Sequence, residues 1–340
     1  MEKRRSLENA QFEHPNRIGF KDGLGYAMGD AGNLFILTYV SSYLKVFYTD
    51  VELRITVLFL IARLWDAIND PLWGGLIAKK KPTKDGKFRP FIKWFAIPLG
   101  ISAMLCYVNF TNFTSNQNLI LALAYITYIG FGMMYTTINI PYGSMASVMS
   151  SEADDRAALS TFRGLGSLIP QIIIGVVMPM FLYTKLEDGS QVVNASAFPV
   201  LAAILAVASA ACYIIWGFIC TERVPVTEKQ ENISFKDTVK ALFSNRALIG
   251  IVIVYVCFLG AQMMNQSISN YIFKDYFKNT MGLTVMNAAG FAPALILAPL
   301  AVPLSSKIGK KEVGIVASIM GTIAFAAFVM FSSVFEEPDG

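Results

Sequence analysis

Residues 62–71 read ARLWDAINDP and lie in the middle of an otherwise apolar block, residues 55–78. A block of this length can cross a hydrocarbon layer of about 30 Å as a helix. Eight further apolar blocks occur at residues 26–48, 91–110, 118–146, 159–184, 197–220, 247–271, 284–305 and 313–334. The pattern predicts an all-α, polytopic membrane protein with nine spanning helices.

The composition favours the same class of protein. Of the 340 residues, 54% are hydrophobic, and the mean hydropathy is +0.50. That is more apolar surface than a water-soluble domain of this length can bury in one core, so we expect the lipid bilayer to cover the rest. Residues 1–22 are polar and charged, without the apolar stretch of a signal peptide, and are predicted to be a cytoplasmic tail.

Most of the 28 Lys and Arg residues lie in this tail and in every second loop after it. Positive charge stays on the cytoplasmic side, so the pattern predicts a cytoplasmic N-terminus in the cell (plasma or inner) membrane rather than nucleic-acid binding. The only histidine, His14, lies in the tail, and no nucleotide-binding GxxxxGK[ST] loop is present. The four cysteines lie in apolar spans without CxxC spacing. We therefore predict no enzyme activity and no cofactor.

The order of the blocks predicts two related bundles of helices. Six spans form an N-terminal bundle, residues 23–220, and a polar connection follows at residues 221–246. Residues 233–248 in and just after this connection have the pattern of an amphipathic helix on the membrane surface. Residues 247–340 then form a partial C-terminal bundle of three helices. Because the ends of the second and eighth spans resemble each other, we expect a twelve-helix protein truncated after nine helices, which would not transport as it stands.

The second span carries the densest chemistry. Asp66, Asn69 and Asp70 project from one helical face, and each ionised acid at the centre of a bilayer costs roughly 2.5 to 3.5 kcal/mol. A bound Na⁺, a proton or a nearby arginine relieves this cost. One alternative is purely structural: Arg63 neutralises Asp66 and so holds two helices together. The oxygen-rich side chains suit a hard cation, so Na⁺ at Asp66 and Asp70 is the one metal ion we consider.

Spans one, four and five supply further polar residues. Asp30 is flanked by glycines in the first span and is either directed inward or a cap near the membrane surface. Tyr135 and Asn139 in the fourth span are of the types that bind sugar hydroxyls, although such stripes also serve helix packing. Arg163, just inside the fifth span, either stays at the interface or reaches inward to the acids.

Several of these segments together resemble the glycoside-pentoside-hexuronide:cation symporter family, of which the melibiose-type carriers are a branch, within the major facilitator superfamily. The resemblance covers essentially the whole chain, and its most specific parts are Tyr48-Thr49-Asp50, the residues 62–71 quoted above, Gly86-Lys87-Phe88-Arg89-Pro90 and Asn139-Ile140-Pro141-Tyr142. It implies a helix bundle of the major-facilitator type. Because melibiose-type members have an acid at the position of Asn139 and a tryptophan at that of Gly143, branches that handle glucuronides, xylosides or other pentosides are closer.

The resemblance also implies roles for individual residues. It makes Asp66, Asn69, Asp70 and Thr136 ligands of the coupling ion, Na⁺ or H⁺. The residues that would face the sugar are Asp30, Tyr135, Asn139 and Arg163.

The function predicted from these observations is sugar:cation symport by alternating access, with a small sugar or glycoside, a monovalent cation and the bilayer as partners. The alternative is a sensor or scaffold that derives from such a transporter and does not transport. An intramembrane aspartyl protease is disfavoured, because its two acids should lie on facing helices, whereas Asp66 and Asp70 share one helix.

Overall fold

The computed structural model of the protein describes residues 18–50, 56–185, 191–224, 243–271, 303–304 and 307–330, and the single positions 290, 297 and 300. Its α-helices are α1 Phe20–Asp50, α2 Thr56–Lys79, α3 Arg89–Cys106, α4 Gln117–Met149, α5 Ala153–Ile172, α6 Met178–Leu182, α7 Ala197–Ile219, α8 Arg246–Tyr271 and α9 Lys310–Met330. A 3-10 helix lies at Phe110–Asn112, and a π-helical turn, Ile173–Val177, joins α5 to α6. The predicted all-α class is confirmed.

The predicted spans overlap these helices, but α1 and α5 begin at Phe20 and Ala153 rather than at the predicted residues 26 and 159, and two ends also differ. The third span was expected to reach residue 110, but α3 ends at Cys106, because the side chain of Asn109 accepts a hydrogen bond from Thr111 N and starts the 3-10 helix. The fifth span was expected to reach residue 184. Instead α6 ends at Leu182, and β1 Tyr183–Lys185 pairs antiparallel with β2 Gln191–Val193.

Two further predictions concern residues that the structure mostly does not describe. The eighth predicted span, residues 284–305, and the surface helix at 233–248 lie mostly outside the described residues. The division into tail, two bundles and connecting loop also stays a prediction.

Helix α1 lies at the centre of the packing, with α5 and α7 against it, while α4 packs on α2 and α3. An aromatic cluster holds α1, α3 and α7 together: the ring centroids of Tyr39 and Tyr107 are 4.9 Å apart, and those of Phe47 and Phe198 are 5.5 Å apart. Tyr39 Oη donates to Phe198 O at 3.1 Å, and Tyr107 Oη donates to Tyr39 O at 3.0 Å. The buried hydroxyl groups are thus paired, as burial requires.

The connection after α7 fixes the start of α3. The carboxylate of Glu222 accepts three backbone N–H bonds, from Lys87 at 2.8 Å, from Phe88 at 2.7 Å and from Arg89 at 2.9 Å. These donors belong to the first turn of α3 and the residues before it, where N–H groups lack helical partners. Gly86, at φ 105°, makes this approach possible, since a Cβ there would lie 2.4 Å from Glu222 Cδ.

Among the described residues, three helical stretches are long and apolar enough to cross a membrane: Gln117–Met149, Ala153–Leu182 and Ala197–Ile219. Helix α2 does not meet this criterion because Arg63, Asp66 and Asp70 all lie in its middle. The charges in α2 therefore need partners within the protein.

Close packing of the α1 backbone on α5 requires a glycine at position 166. A Cβ at Gly166 would lie 2.3 Å from Ala27 O, which is backbone and cannot turn aside. We expect Gly166→Ala to separate the two helices and to lower the free energy of unfolding by about 1 to 3 kcal/mol. Thermal unfolding in detergent measures this effect. Gly164→Ala, on the same helix with nothing within 4 Å of its Cβ, is the control; equal melting temperatures for the two variants would contradict the prediction.

Candidate functional site

A buried ion pair connects α1 and α5. Arg163 Nε donates to Asp30 Oδ1 at 2.9 Å, and the side chain of Asp30 is only 6% exposed while that of Arg163 is 43% exposed. The guanidinium carbon of Arg163 also lies 5.3 Å from the centre of the Tyr142 ring on α4. Of the two positions considered for Arg163, the structure has the inward one. The partly exposed guanidinium group keeps surface available for a solute.

A stacked pair of tyrosines lies beside this ion pair. The rings of Tyr26 and Tyr142 are 4.8 Å apart and nearly parallel. Tyr142 Oη donates to Tyr26 O at 2.7 Å, and Tyr26 Oη donates to Tyr142 O at 3.2 Å. The two tyrosines therefore fix α1 against α4 at the level of the ion pair.

The amide of Asn33 joins three helices. Its Nδ2 donates to Asn139 Oδ1 at 3.0 Å and to Tyr135 Oη at 3.4 Å, both on α4. Its Oδ1 accepts from Tyr213 Oη on α7 at 3.1 Å. Asn33 and Tyr213 are buried, whereas Tyr135 and Asn139 are only partly buried. This network fixes Tyr135 and Asn139 and leaves their outer atoms accessible.

A second polar cluster lies between α2 and α4. Thr136 Oγ1 donates to Asp70 Oδ1 at 2.7 Å. Asn69 is buried, at 6% exposure, and its Nδ2 has no hydrogen-bond partner within the described structure. Asp66 Oδ1 lies 3.1 Å from where a Cβ on Gly132 would be, so this glycine lets α4 pass close to the carboxylate. Two carboxylates, an amide and a hydroxyl provide oxygen atoms of the kind that hard cations prefer.

The arginine of this helix is a loose partner for Asp66. Arg63 Nη1 is 3.8 Å from Asp66 Oδ2, and the side chain of Arg63 is 67% exposed. Both residues lie on α2, so the pair does not hold two helices together, and that part of the structural alternative is wrong. An exposed pair within one helix contributes at most about 0.5 kcal/mol.

Helix α4 contributes to both clusters. Thr136, which bonds Asp70, is three residues before Asn139, which bonds Asn33, so both lie on nearly the same face. All eight predicted site residues thus lie in two groups: Asp66, Asn69, Asp70 and Thr136 in one, and Asp30, Tyr135, Asn139 and Arg163 in the other.

The structure adds three tyrosines that the sequence did not single out as site residues. Tyr26 precedes Asp30 by four residues, and Tyr142 follows Asn139 by three, so helical spacing could have indicated both. Tyr213 lies on α7, and no spacing relates it to the other residues. The bridging role of Asn33 between α1, α4 and α7 was also not foreseen.

Comparison with known families gives one match over most of the chain. Residues 25–336 match the family described as MFS/sugar transport protein. Among curated proteins, an uncharacterized symporter, YnaJ, of Bacillus subtilis is 30% identical over 95% of this chain and 70% of its own length. The isoprimeverose transporter of Lactiplantibacillus pentosus is 29% identical, over 94% of this chain and 66% of its own. The glucuronide carrier protein homolog of Escherichia coli is 27% identical, over 93% of this chain and 68% of its own. The chain thus spans about two thirds of the length of these relatives.

The bond between Thr136 and Asp70 predicts a difference between two neighbouring threonines. Thr136→Val removes the donor to a carboxylate, and we expect it to lower the free energy of unfolding by about 1.5 kcal/mol. Thr137→Val is the matched control: Thr137 is also buried, but its Oγ1 donates to Met133 O within its own helix at 2.7 Å. Chemical denaturation in detergent compares the two variants. If Thr137→Val costs as much as Thr136→Val, the α2–α4 bond does not contribute as described.

Proposed function

Because the chain belongs to the MFS/sugar transport protein family, we propose that it is a secondary transporter that couples the movement of a sugar or glycoside to that of a monovalent cation. The protein works by alternating access as a multi-pass protein of the cell membrane, with its N-terminus in the cytoplasm. Asp66, Asn69, Asp70 and Thr136 bind the coupling ion. The sugar contacts Tyr135, Asn139 and Arg163.

The observation that carries this proposal is the position of α4 between the two clusters. Thr136 bonds the carboxylate of Asp70, and one turn later Asn139 bonds the amide of Asn33. A cation that draws Asp66, Asp70 and Thr136 together therefore shifts or steadies the same stretch of helix that presents Asn139 to the sugar. Binding at either cluster changes the free energy of binding at the other, which is the requirement for coupling.

The charges of the two clusters support a monovalent ion. Asp30 pairs with Arg163 and Asp66 with Arg63, while Asp70 bonds the hydroxyl of Thr136, which leaves one negative charge when all five charged groups are ionised. One Na⁺ or one proton neutralises that charge. Among the described residues Asp70 has no salt-bridge partner, which supports an excess negative charge at the α2–α4 cluster. A cation there would relieve the repulsion between two carboxylates one turn apart.

The substrate class follows from the groups around Asn33. Amide and hydroxyl groups pair with sugar hydroxyls, and aromatic rings cover the apolar faces of a sugar ring. The relatives whose names give a substrate include an isoprimeverose transporter and a glucuronide carrier homolog. Glycosides, pentosides and hexuronides are therefore the compounds to test. Buried Asp30 orients Arg163, and it contributes to sugar binding through that arginine.

Transport itself separates this proposal from a sensor or scaffold. The product of the complete gene, reconstituted in liposomes, should accumulate a radiolabelled glycoside when an inward Na⁺ or H⁺ gradient is imposed, whereas residues 1–340 alone were predicted not to transport. Binding of sugar without gradient-driven accumulation would favour the sensor.

The amide of Asn139 is expected to set the sugar preference. An amide both donates and accepts hydrogen bonds, whereas an ionised acid only accepts. Asn139→Asp should therefore change the order in which isoprimeverose, methyl glucuronide, methyl xyloside and methyl galactoside compete for binding, and leave the cation requirement intact. Asn118→Asp, an exposed position at the start of α4, is the control. An unchanged order together with a lost cation requirement would reverse the assigned roles.

The charge of Asp70 is expected to couple the cation to the sugar. Asp70→Asn keeps the size of the side chain and its ability to accept from Thr136, but it removes one of the two neighbouring charges. The variant should lose the stimulation of sugar binding by Na⁺ or H⁺ and retain weak, cation-independent binding. Sugar affinity is measured by calorimetry over a range of Na⁺ concentrations and pH values, with Asp154→Asn, an exposed acid in the first turn of α5, as control. If Na⁺ or H⁺ stimulates sugar binding in Asp70→Asn as strongly as in the unmodified protein, Asp70 has a structural role and does not couple the cation to the sugar.

A further inference from the structure

A cavity of about 360 Å³ opens on the outside of the bundle, between the first turns of α3 and the last turns of α7. Apart from Tyr213, which also donates to Asn33, its lining residues belong to neither polar cluster. Arg89, Lys93 and Ala96 line it from α3, and Ile214, Gly217 and Phe218 line it from α7. The volume lies in the range of sites for small molecules.

One end of this cavity is cationic. Arg89 and Lys93 are four residues apart and so lie on the same face of α3. One Nη of Arg89 donates to Gly217 O, while its Nε is buried and has no hydrogen-bond partner among the described residues. Lys93 Nζ lies 3.4 Å from Asp85, with its side chain 37% exposed. The guanidinium group of Arg89 and the ammonium group of Lys93 together give this end of the cavity two positive charges, which favour an anionic oxygen.

The charge around this end is strongly positive. Residues 79–93 contain seven Lys and Arg residues and a single acid, Asp85. Glu222 is occupied by the backbone N–H groups at the start of α3. The ion pair with Asp85 therefore neutralises only a small part of the local positive charge. The ligand is expected to be an anion.

Beyond the cavity, the exposed side chains of α3 and α7 are apolar. One and two turns beyond Lys93, Ile97 and Ile101 are 62% and 53% exposed. On α7, Phe218, Ile214 and Val207 are similarly exposed. A soluble anion gains nothing from these side chains, whereas an acyl chain lying along them buries apolar surface.

From this arrangement we infer that the α3–α7 cavity binds an anionic phospholipid. The phosphate lies against Arg89 and Lys93 at the membrane surface, and the acyl chains follow the exposed apolar side chains of α3 and α7 into the bilayer. Basic pockets between helices at a membrane surface bind lipid headgroups in this way. The lipid would hold the start of α3 against the end of α7, as the hydrogen bonds of Glu222 also do.

The test measures lipid binding to the detergent-purified chain by native mass spectrometry. The probes are phosphatidylglycerol and phosphatidylcholine with the same acyl chains, and inorganic phosphate as the competitor without chains. We expect phosphatidylglycerol to bind more tightly than phosphatidylcholine and Lys93→Gln to weaken its binding about fivefold, the effect of one basic residue near an anionic lipid. Lys84→Gln, an exposed lysine of the same loop that does not line the cavity, should change the affinity little.

Three results would overturn the proposal. The first is equal affinity of Lys93→Gln and the wild type for phosphatidylglycerol. The second is an equal loss in Lys84→Gln, which would indicate diffuse attraction to the basic loop. The third is complete displacement by inorganic phosphate at the concentration of the lipid, which would indicate a soluble anion. Arg89→Gln should weaken binding further; if loss of its bond to Gly217 unfolds that variant, Lys93→Gln alone decides.

Discussion

Every polar group buried in an apolar helix bundle has to find its partner inside the protein, because no water is available there. This constraint explains the position of α4. The buried hydroxyl group of Thr136 donates to the exposed carboxylate of Asp70, and the buried amide of Asn33 pairs with Asn139 and Tyr135. Asp30 on α1 is similarly satisfied by Arg163 on α5. Helices with polar residues in their middle are thus held to specific neighbours, while apolar packing alone would allow several arrangements.

The same constraint shows that the two polar clusters differ in how far their charges and hydrogen bonds are satisfied. Around Asp30 the charges are balanced and the amides and hydroxyls are paired, so this cluster is rigid and suits a neutral or polar solute. Around Asp66 and Asp70 the balance is incomplete: Arg63 is mostly exposed and distant, and the buried Asn69 Nδ2 lacks a partner among the described residues. The charges and hydrogen bonds of the Asp30 cluster are therefore satisfied without a ligand, whereas those of the Asp66 and Asp70 cluster are not. On our proposal, the cation completes the second cluster and thereby steadies α4 for the sugar.

Much of the fold could be predicted from the sequence, because apolar blocks of spanning length have few alternatives to helices. The family was predicted from the motifs on the second and fourth spans, and the family match confirms it. The ends of α3 and α6 were not predicted, since a local asparagine cap and a short hairpin, Tyr183–Lys185 with Gln191–Val193, decide them. Hydropathy averaged over a span does not detect such local hydrogen bonds.

The candidate site could be predicted residue by residue but not as an arrangement. Spacing places Asp66, Asn69 and Asp70 on one face of α2, yet it cannot tell which helix that face meets. Tyr213 is 180 residues from Asn33, and only the packing of α7 on α1 brings them together. The role of Asn33 as a bridge therefore depends on tertiary structure. The place of Arg163 in the span allowed two positions, and its ion pair with buried Asp30 distinguishes them.

The central claim is that binding at one cluster changes the affinity of the other cluster through α4. The most direct test is whether the sugar and the cation change each other's affinity by the same factor in the unmodified protein. Calorimetry would measure the affinity for the best-binding glycoside with and without saturating Na⁺ or H⁺, and the affinity for the cation with and without that glycoside. Thermodynamic linkage requires both ratios to be the same. The account predicts a common factor well above one, roughly 5 to 150 for typical coupling energies. A glycoside affinity that is the same in the presence and absence of either cation would contradict it.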